Sequence, residues 1–310
     1  MKNTINTLIL IAGLLCLLQP GMAQQKPKNV TISHSKGNTE VPVGAAKVVI
    51  FDLGTLETFH ELGIPVAGVP NSVPDYLSEF KQDKYAKVGG IKGPNIQAIA
   101  ALSPDLIIIS GRQSDSYDSL SMIAPTLFLG VDSKDYWATF EGNVQKIAAI
   151  YGREDLAEKK LTTLRNKRDA VREKSATDEK TGIIVLHVRG GHTAYGTQSR
   201  FGFIHDVLGI RQAMPLNDAT HTGHRFKEDD QLITKAAADY LFLIDRDSAV
   251  GGEKKDKDEL LSQEIKNSKA YQANKIIELS GNVWYTSGGG LTSVDKMISE
   301  VGTQLYQISF

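Results

Sequence analysis

The chain has 310 residues, a formal charge of −1, seven histidines and one cysteine. Near-neutral charge excludes the basic footprint that nucleic-acid binding leaves. A lone cysteine excludes an intrachain disulfide, so the protein must be held by packing, and the length is ample for two hydrophobic cores.

The first stretch, "MKNTINTLILIAGLLCLLQPGMAQQ", carries one lysine, an apolar run from Leu8 to Leu18, a helix-breaking Pro20 and the small residues Gly21 and Ala23. This is the pattern of a secretory signal peptide over 1–23, with cleavage expected after Ala23. The run is too short for a membrane span of about 20 residues. Leu14 and Leu15 precede Cys16, where a lipoprotein site wants a small residue, so the mature protein is expected to be exported, soluble and without a lipid anchor.

Beyond the leader, "VTISHSKG" suggests a strand of an early hairpin that continues through Val41 to Val43. "AKVVIFD" predicts a buried strand, "TLETFHELG" a helix closed by Gly63, and "IPVAGVP" a second strand. "NIQAIAALS" (helix), "PDLIIIS" (strand), "SYDSLSMIA" (helix) and "PTLFLG" (strand) follow. Such alternation means a largely parallel sheet covered by helices. From Trp137 to about Ser175 the pattern is purely helical, broken only where Gly152 ends one helix and an acidic first turn opens the next. A helix over 154–175 is on the order of 33 Å long, enough to cross between two lobes.

The α/β grammar then restarts: "TGIIVLHV" (strand), "GFIHDVLG" and "DDQLITKAAA" (helices), "DYLFLIDR" and "KIIELS" (strands), and a last helix from Leu291. The mixed-charge run "GGEKKDKDEL" reads as a solvated loop leading into a helix. Two echoes tie the halves together. "SPDLIIISGR" and "AADYLFLIDR" each set an aspartate before an arginine, Asp105 with Arg112 and Asp239 with Arg246, and "HELGI" repeats as "HDVLGI". The expected fold is therefore two Rossmann-like α/β lobes joined by a single long connecting helix, with limits of 24–150, 151–177 and 178–310 and a ligand cleft between the lobes.

Arg112 and Arg246 each fall at the carboxyl end of a strand, where open α/β sheets bind ligands, and Arg200 opens a helix near the same surface. Taken singly each is an ordinary surface charge; equivalent placement in two facing lobes predicts a cationic cleft. His205 reads as a packing histidine. His221 and His224 stand in a loop, a weak metal signal without a third ligand nearby. "NVWYTSGGG" sets Tyr285 before three glycines and a helix, a place where backbone N–H groups can approach an anion. Trp284 and Tyr136 either line the cleft or pack in a core.

Together "SGRQSDSYDSL", "SRFGFIHDVLG", the histidine loop before "DYLFLIDR", and "VWYTSGGG" closely resemble periplasmic binding proteins for ferric catecholate siderophores of the enterobactin and petrobactin type, the helical-backbone (class III) binding proteins of ABC importers. The resemblance runs in one order from about residue 40 to the C-terminus. It implies two α/β lobes on a connecting helix and no enzymatic activity. It implies a ferric siderophore as cargo rather than an intrinsic cofactor, and as partners an inner-membrane permease with its ATPase, the protein itself acting as a monomer. By the same resemblance Tyr285 and His224, with His221 in reserve, complete the iron shell of a tetradentate bis-catecholate, and Arg112, Arg200 and Arg246 line the cleft. The residue types suit that ligand: ferric iron is hard, prefers phenolate-type oxygen and accepts imidazole, and arginine donates in a fork and stacks on aromatic planes.

Haem is the rival cargo, since His and Tyr both ligate its iron. An exported hydrolase is the rival class, but the chain has no G-x-S-x-G elbow and no phosphate loop.

Overall fold

The computed structural model describes residues 28–216 and 226–310; the leader with its cleavage site, and the loop holding His221 and His224, lie outside the described residues. An antiparallel hairpin, β1 (Asn29–His34) and β2 (Gly37–Pro42), opens the described residues. The first lobe follows as β3 (Val48–Ile50), α1 (Leu53–Glu61), β4 (Gly68–Val69), β5 (Ala86–Lys87), the small hairpin β6 (Gly89–Gly90) and β7 (Gly93–Pro94), α2 (Ile96–Leu102), β8 (Leu106–Ile109), α3 (Tyr117–Ser121) and β9 (Thr126–Phe128). Its sheet is all parallel in the order β5-β4-β3-β8-β9.

Two helices leave this lobe, α4 (Tyr136–Tyr151) and α5 (Glu154–Thr177). Gly152, in the left-handed region at φ 61°, ends the first, as its position in the sequence predicts. The 24 residues of α5 give a rod about 36 Å long. The second lobe is β10 (Thr181–Val188), β11 (Gly191–Tyr195), α6 (Phe203–Asp206), β12 (Arg211–Gln212), α7 (Phe226–Lys235), β13 (Tyr240–Asp245), four short helices α8 (Arg246–Ala249), α9 (Lys257–Leu260), α10 (Gln263–Lys266) and α11 (Lys269–Gln272), then β14 (Ile276–Leu279) and α12 (Leu291–Tyr306). Its sheet runs β11-β10-β13-β14, parallel except for β11, with β12 paired beside the start of β10.

Side chains alternate across both sheets with the period of a strand. Val48, Ile50, Leu106 and Ile108 of the first sheet, and Ile184, Leu186, Phe242 and Ile244 of the second, belong to one continuous buried core. Their odd-numbered neighbours, such as Ile107 and Leu243, face two smaller outer clusters covered by helices. The connecting helix and α12 contribute Leu161, Val171, Val294 and Ile298 to the shared core. Because this apolar interior is continuous from one sheet to the other, large rotation of one lobe on the other would expose it.

The aspartate echo has a structural counterpart. Asp105 accepts from the backbone N–H of Lys47, and Asp239 from that of Thr181, at 2.8 and 2.9 Å. Each aspartate staples its strand to the strand that begins its own lobe, at the same separation of 58 residues.

Candidate functional site

Arg112 stands just past β8, in a turn that Ser110 and Gln113 close through their side chains. Its guanidinium spans to the other lobe and donates to the carbonyls of Tyr285 and Thr286, both at 2.7 Å. Arg200, just before α6, is exposed, donates to the same Tyr285 carbonyl and stacks over the Tyr285 ring at 4.2 Å. Arg246, the first residue of α8, is held by Asp247 at 3.0 Å and lies 5.8 Å from the same ring. The three arginines of the sequence reading thus converge on Tyr285.

Tyr285 itself lies in a single π-helical turn, Asn282–Thr286, an irregularity that recurs at functional sites. Burial alone would raise the pKa of its phenol; the guanidiniums of Arg246 and Arg200 beside it outweigh burial and hold it below the ordinary tyrosine value. That shift eases the deprotonation a metal must drive. Arg112 is itself pushed below its usual range, first by burial and then by the neighbouring Arg200.

Around this cluster opens a cleft of about 460 Å³ whose walls come from both lobes, among them Asp52, Lys92, Arg112, Tyr136, Arg200 and Tyr285. Tyr136 and Trp284 meet both readings made of them: each is nearly buried, each touches the Phe203 ring edge-on, and each also lines the cleft. Tyr136 crosses between lobes to donate to the carbonyl of Gly288 at 2.5 Å. His205 is a packing histidine bound to the Ile210 carbonyl at 2.8 Å.

Two groups here were missed in the sequence. Lys92 sits at the tip of the β6–β7 hairpin and adds a further cation to the rim; the turn signature "GGIKGP" marks such a tip. Asp52, which caps α1 through the N–H of Thr55 at 2.8 Å, supplies a negative charge on the opposite account. The glycine run also serves a different purpose from the expected one. The N–H groups of Gly289 and Gly290 are taken by the Ser293 hydroxyl, both at 3.0 Å, so they are not free for an anion. Glycine is required instead because α1 comes so close: a Cβ on Gly290 would stand 2.1 Å from the Gly54 carbonyl oxygen.

No group of three or more His, Cys, Asp or Glu able to hold a metal occurs among the described residues. No helix of the described residues is long and apolar enough to cross a membrane.

A two-lobed α/β scaffold with a cationic interlobe cleft defines a solute-binding protein. Residues 48–283 match the periplasmic binding protein family, and the chain belongs to it. It is 40% identical over 281 residues to the petrobactin-binding protein YclQ of Bacillus subtilis, covering 89% of this chain and 88% of that one. The crystal structure of that protein superposes with a TM-score of 0.82, covering 88% of this chain and 97% of that chain. The ferric-anguibactin-binding protein FatB of Vibrio anguillarum is 27% identical, over 97% of this chain and 98% of its own. The catecholate-siderophore binding protein VctP of Vibrio cholerae, 26% identical, superposes with a TM-score of 0.81, covering 89% of this chain and 100% of that chain.

Proposed function

We propose that the protein captures a ferric catecholate siderophore and delivers it to an ABC importer for iron uptake. The observation that carries this is the convergence of Arg112, Arg200 and Arg246, drawn from both lobes, on one tyrosine in one cleft. A ferric bis-catecholate carries one net negative charge and a tris-catecholate three. At about 4 Å and an effective dielectric of 20, each guanidinium contributes roughly 4 kcal/mol of attraction before desolvation is subtracted. The relatives named above bind, by name, petrobactin, ferric anguibactin and a catecholate siderophore, and a haem slot would want apolar walls where this cleft has guanidiniums, so the haem reading is set aside.

In the proposed complex two catecholates supply four oxygens, and the phenolate of Tyr285 with the imidazole of His224 fills the remaining octahedral positions. His221 is the alternative imidazole. The protein acts as an exported monomer, released by cleavage near Ala23, with lobe limits of 24–150 and 178–310 on either side of the 151–177 connector. It has no catalytic role and no resident cofactor; its partners are the permease and ATPase of the importer. Closure on the ligand is small, since the shared core resists hinging.

Trp284, on the cleft wall, is a built-in reporter. Titration with a ferric bis-catecholate is expected to quench tryptophan fluorescence with a Kd of about 1 μM or tighter, and ferric hydroxamate and haem to bind at least about tenfold more weakly. Equal or tighter binding of haem or hydroxamate would remove the catecholate assignment.

A further inference from the structure

Glu57 is fully buried on α1, yet no lysine or arginine contacts it among the described residues. Its carboxylate accepts from three donors. Tyr76 Oη reaches Oε1 at 2.7 Å, Ser287 Oγ reaches the same oxygen, and the backbone N–H of Ser293 reaches Oε2 at 2.7 Å. Ser293 lies in the first turn of α12, whose preceding residue Gly290 has no side chain with which to cap it. A residue of the first lobe therefore supplies the acceptor that the helix of the second lobe lacks. Ser287 is two residues beyond Tyr285, so the same carboxyl anchors the loop that presents the tyrosine.

We propose that Glu57 is the positioning residue of the Tyr285 loop, docking it against α1 and coupling that docking to proton uptake. The proposal deepens the function stated above, because it rests on Tyr285 facing the ligand. Burial pushes the Glu57 carboxyl up to about 7, against the opposing hydrogen bonds from Ser287, Tyr76 and Ser293. The two phenols that face it keep their own protons near neutrality. Burial and the Glu57 charge both push Tyr76 and Tyr136 well above the ordinary phenol value, so they remain donors. Asp52 at the start of α1 adds a negative charge, and Lys296 of α12 stands over the Tyr76 ring at 5.3 Å.

The sign follows by linkage. A docked loop keeps Glu57 dry and holds its proton more tightly than an undocked loop, in which the carboxyl meets water. Raising pH through about 7 thus favours undocking, and lowering it favours docking. Protonated, Glu57 can donate to the hydroxyl of Ser287 or Tyr76 while its other oxygen still accepts from Ser293.

The test uses the full mature chain with Glu57→Gln, Glu57→Ala, Ser287→Ala and Tyr285→Phe. Without ligand, hydrogen exchange of residues 282–293, corrected for intrinsic rates, is expected to speed up by about fivefold or more between about pH 6 and pH 8 in the wild type and to stay flat in Glu57→Gln. With a ferric bis-catecholate as probe, Glu57→Ala and Ser287→Ala are expected to bind about tenfold more weakly. The wild-type to Glu57→Gln ratio of affinities is expected to fall between those two pH values. If exchange of this segment is the same in wild type and Glu57→Gln at both pH values, and the affinities stay within about twofold, the proposal is overturned. Should Tyr285→Phe leave binding untouched while the Glu57 variants still loosen the loop, it is the iron-ligand reading that fails and the positioning role that stands.

Discussion

Replacing Arg112 with alanine is expected to weaken binding of a ferric tris-catecholate by about 10- to 100-fold, or roughly 1.4 to 2.7 kcal/mol. The guanidinium is part-buried and anchored in the second lobe through the carbonyls of Tyr285 and Thr286. Its removal takes a charge from the anion site and a strut from the Tyr285 loop at once. Attraction at low effective dielectric would give more, but the arginine must give up its carbonyl partners or share them, which offsets part of the gain. Arg112→Lys should recover only part of the loss, because an ammonium cannot span two carbonyls and a catecholate with the same fork. Raising ionic strength from about 0.05 to 0.5 M should weaken the wild type more than the alanine variant, as screening acts on the charge that the variant has lost. Isothermal titration at both salts checks this; equal affinities for wild type and Arg112→Ala would place the anion elsewhere.

The second large effect is on stability. The folded protein holds the Glu57 proton up to about 7, against an ordinary value of 4.5. Between those values the unfolded chain has released its proton and the folded chain has kept it, so stability falls as pH rises. At 1.36 kcal/mol per unit, the wild type is expected to lose on the order of 3 kcal/mol between pH 5 and pH 8 that Glu57→Gln keeps. Urea denaturation of both proteins across that range measures the difference directly. Parallel curves would mean that the carboxyl is ionised at little cost, with water reaching it.

The architecture was legible because its strands are continuous apolar runs, as parallel strands covered on both faces must be. "PDLIIIS" and "DYLFLIDR" became β8 and β13, and the helices around Gly152 ended where that glycine predicts. Where the reading overreached, local chemistry explains it. "IPVAGVP" yields only the two paired residues of β4, since Pro65 and Pro70 lack the N–H that a ladder needs. Nothing was assigned directly after "TGIIVLHV", yet β11 forms there, because Arg189 and Gly190, at φ 51° and 78°, make the tight two-residue turn of a hairpin.

The site divides the same way. Arg112 and Arg246 were marked by an internal repeat, whereas the glycine run that drew attention to Tyr285 serves the close approach of α1 instead of an anion. Glu57 was not, because it lies within an ordinary helical pattern and its partner Ser287 is 230 residues away in the chain. Lys92 was hidden for a related reason: only the folded hairpin carries it to the rim of a cleft formed by residues far away in sequence.

The most direct test of the account is visible absorption of the ferric bis-catecholate complex bound to wild type and to Tyr285→Phe. Coordination by the Tyr285 phenolate predicts a shifted charge-transfer band in the wild type, its loss in the variant, and an affinity lower by about tenfold or more. A band and an affinity that are the same in both proteins would show that the tyrosine under the three arginines never touches the iron.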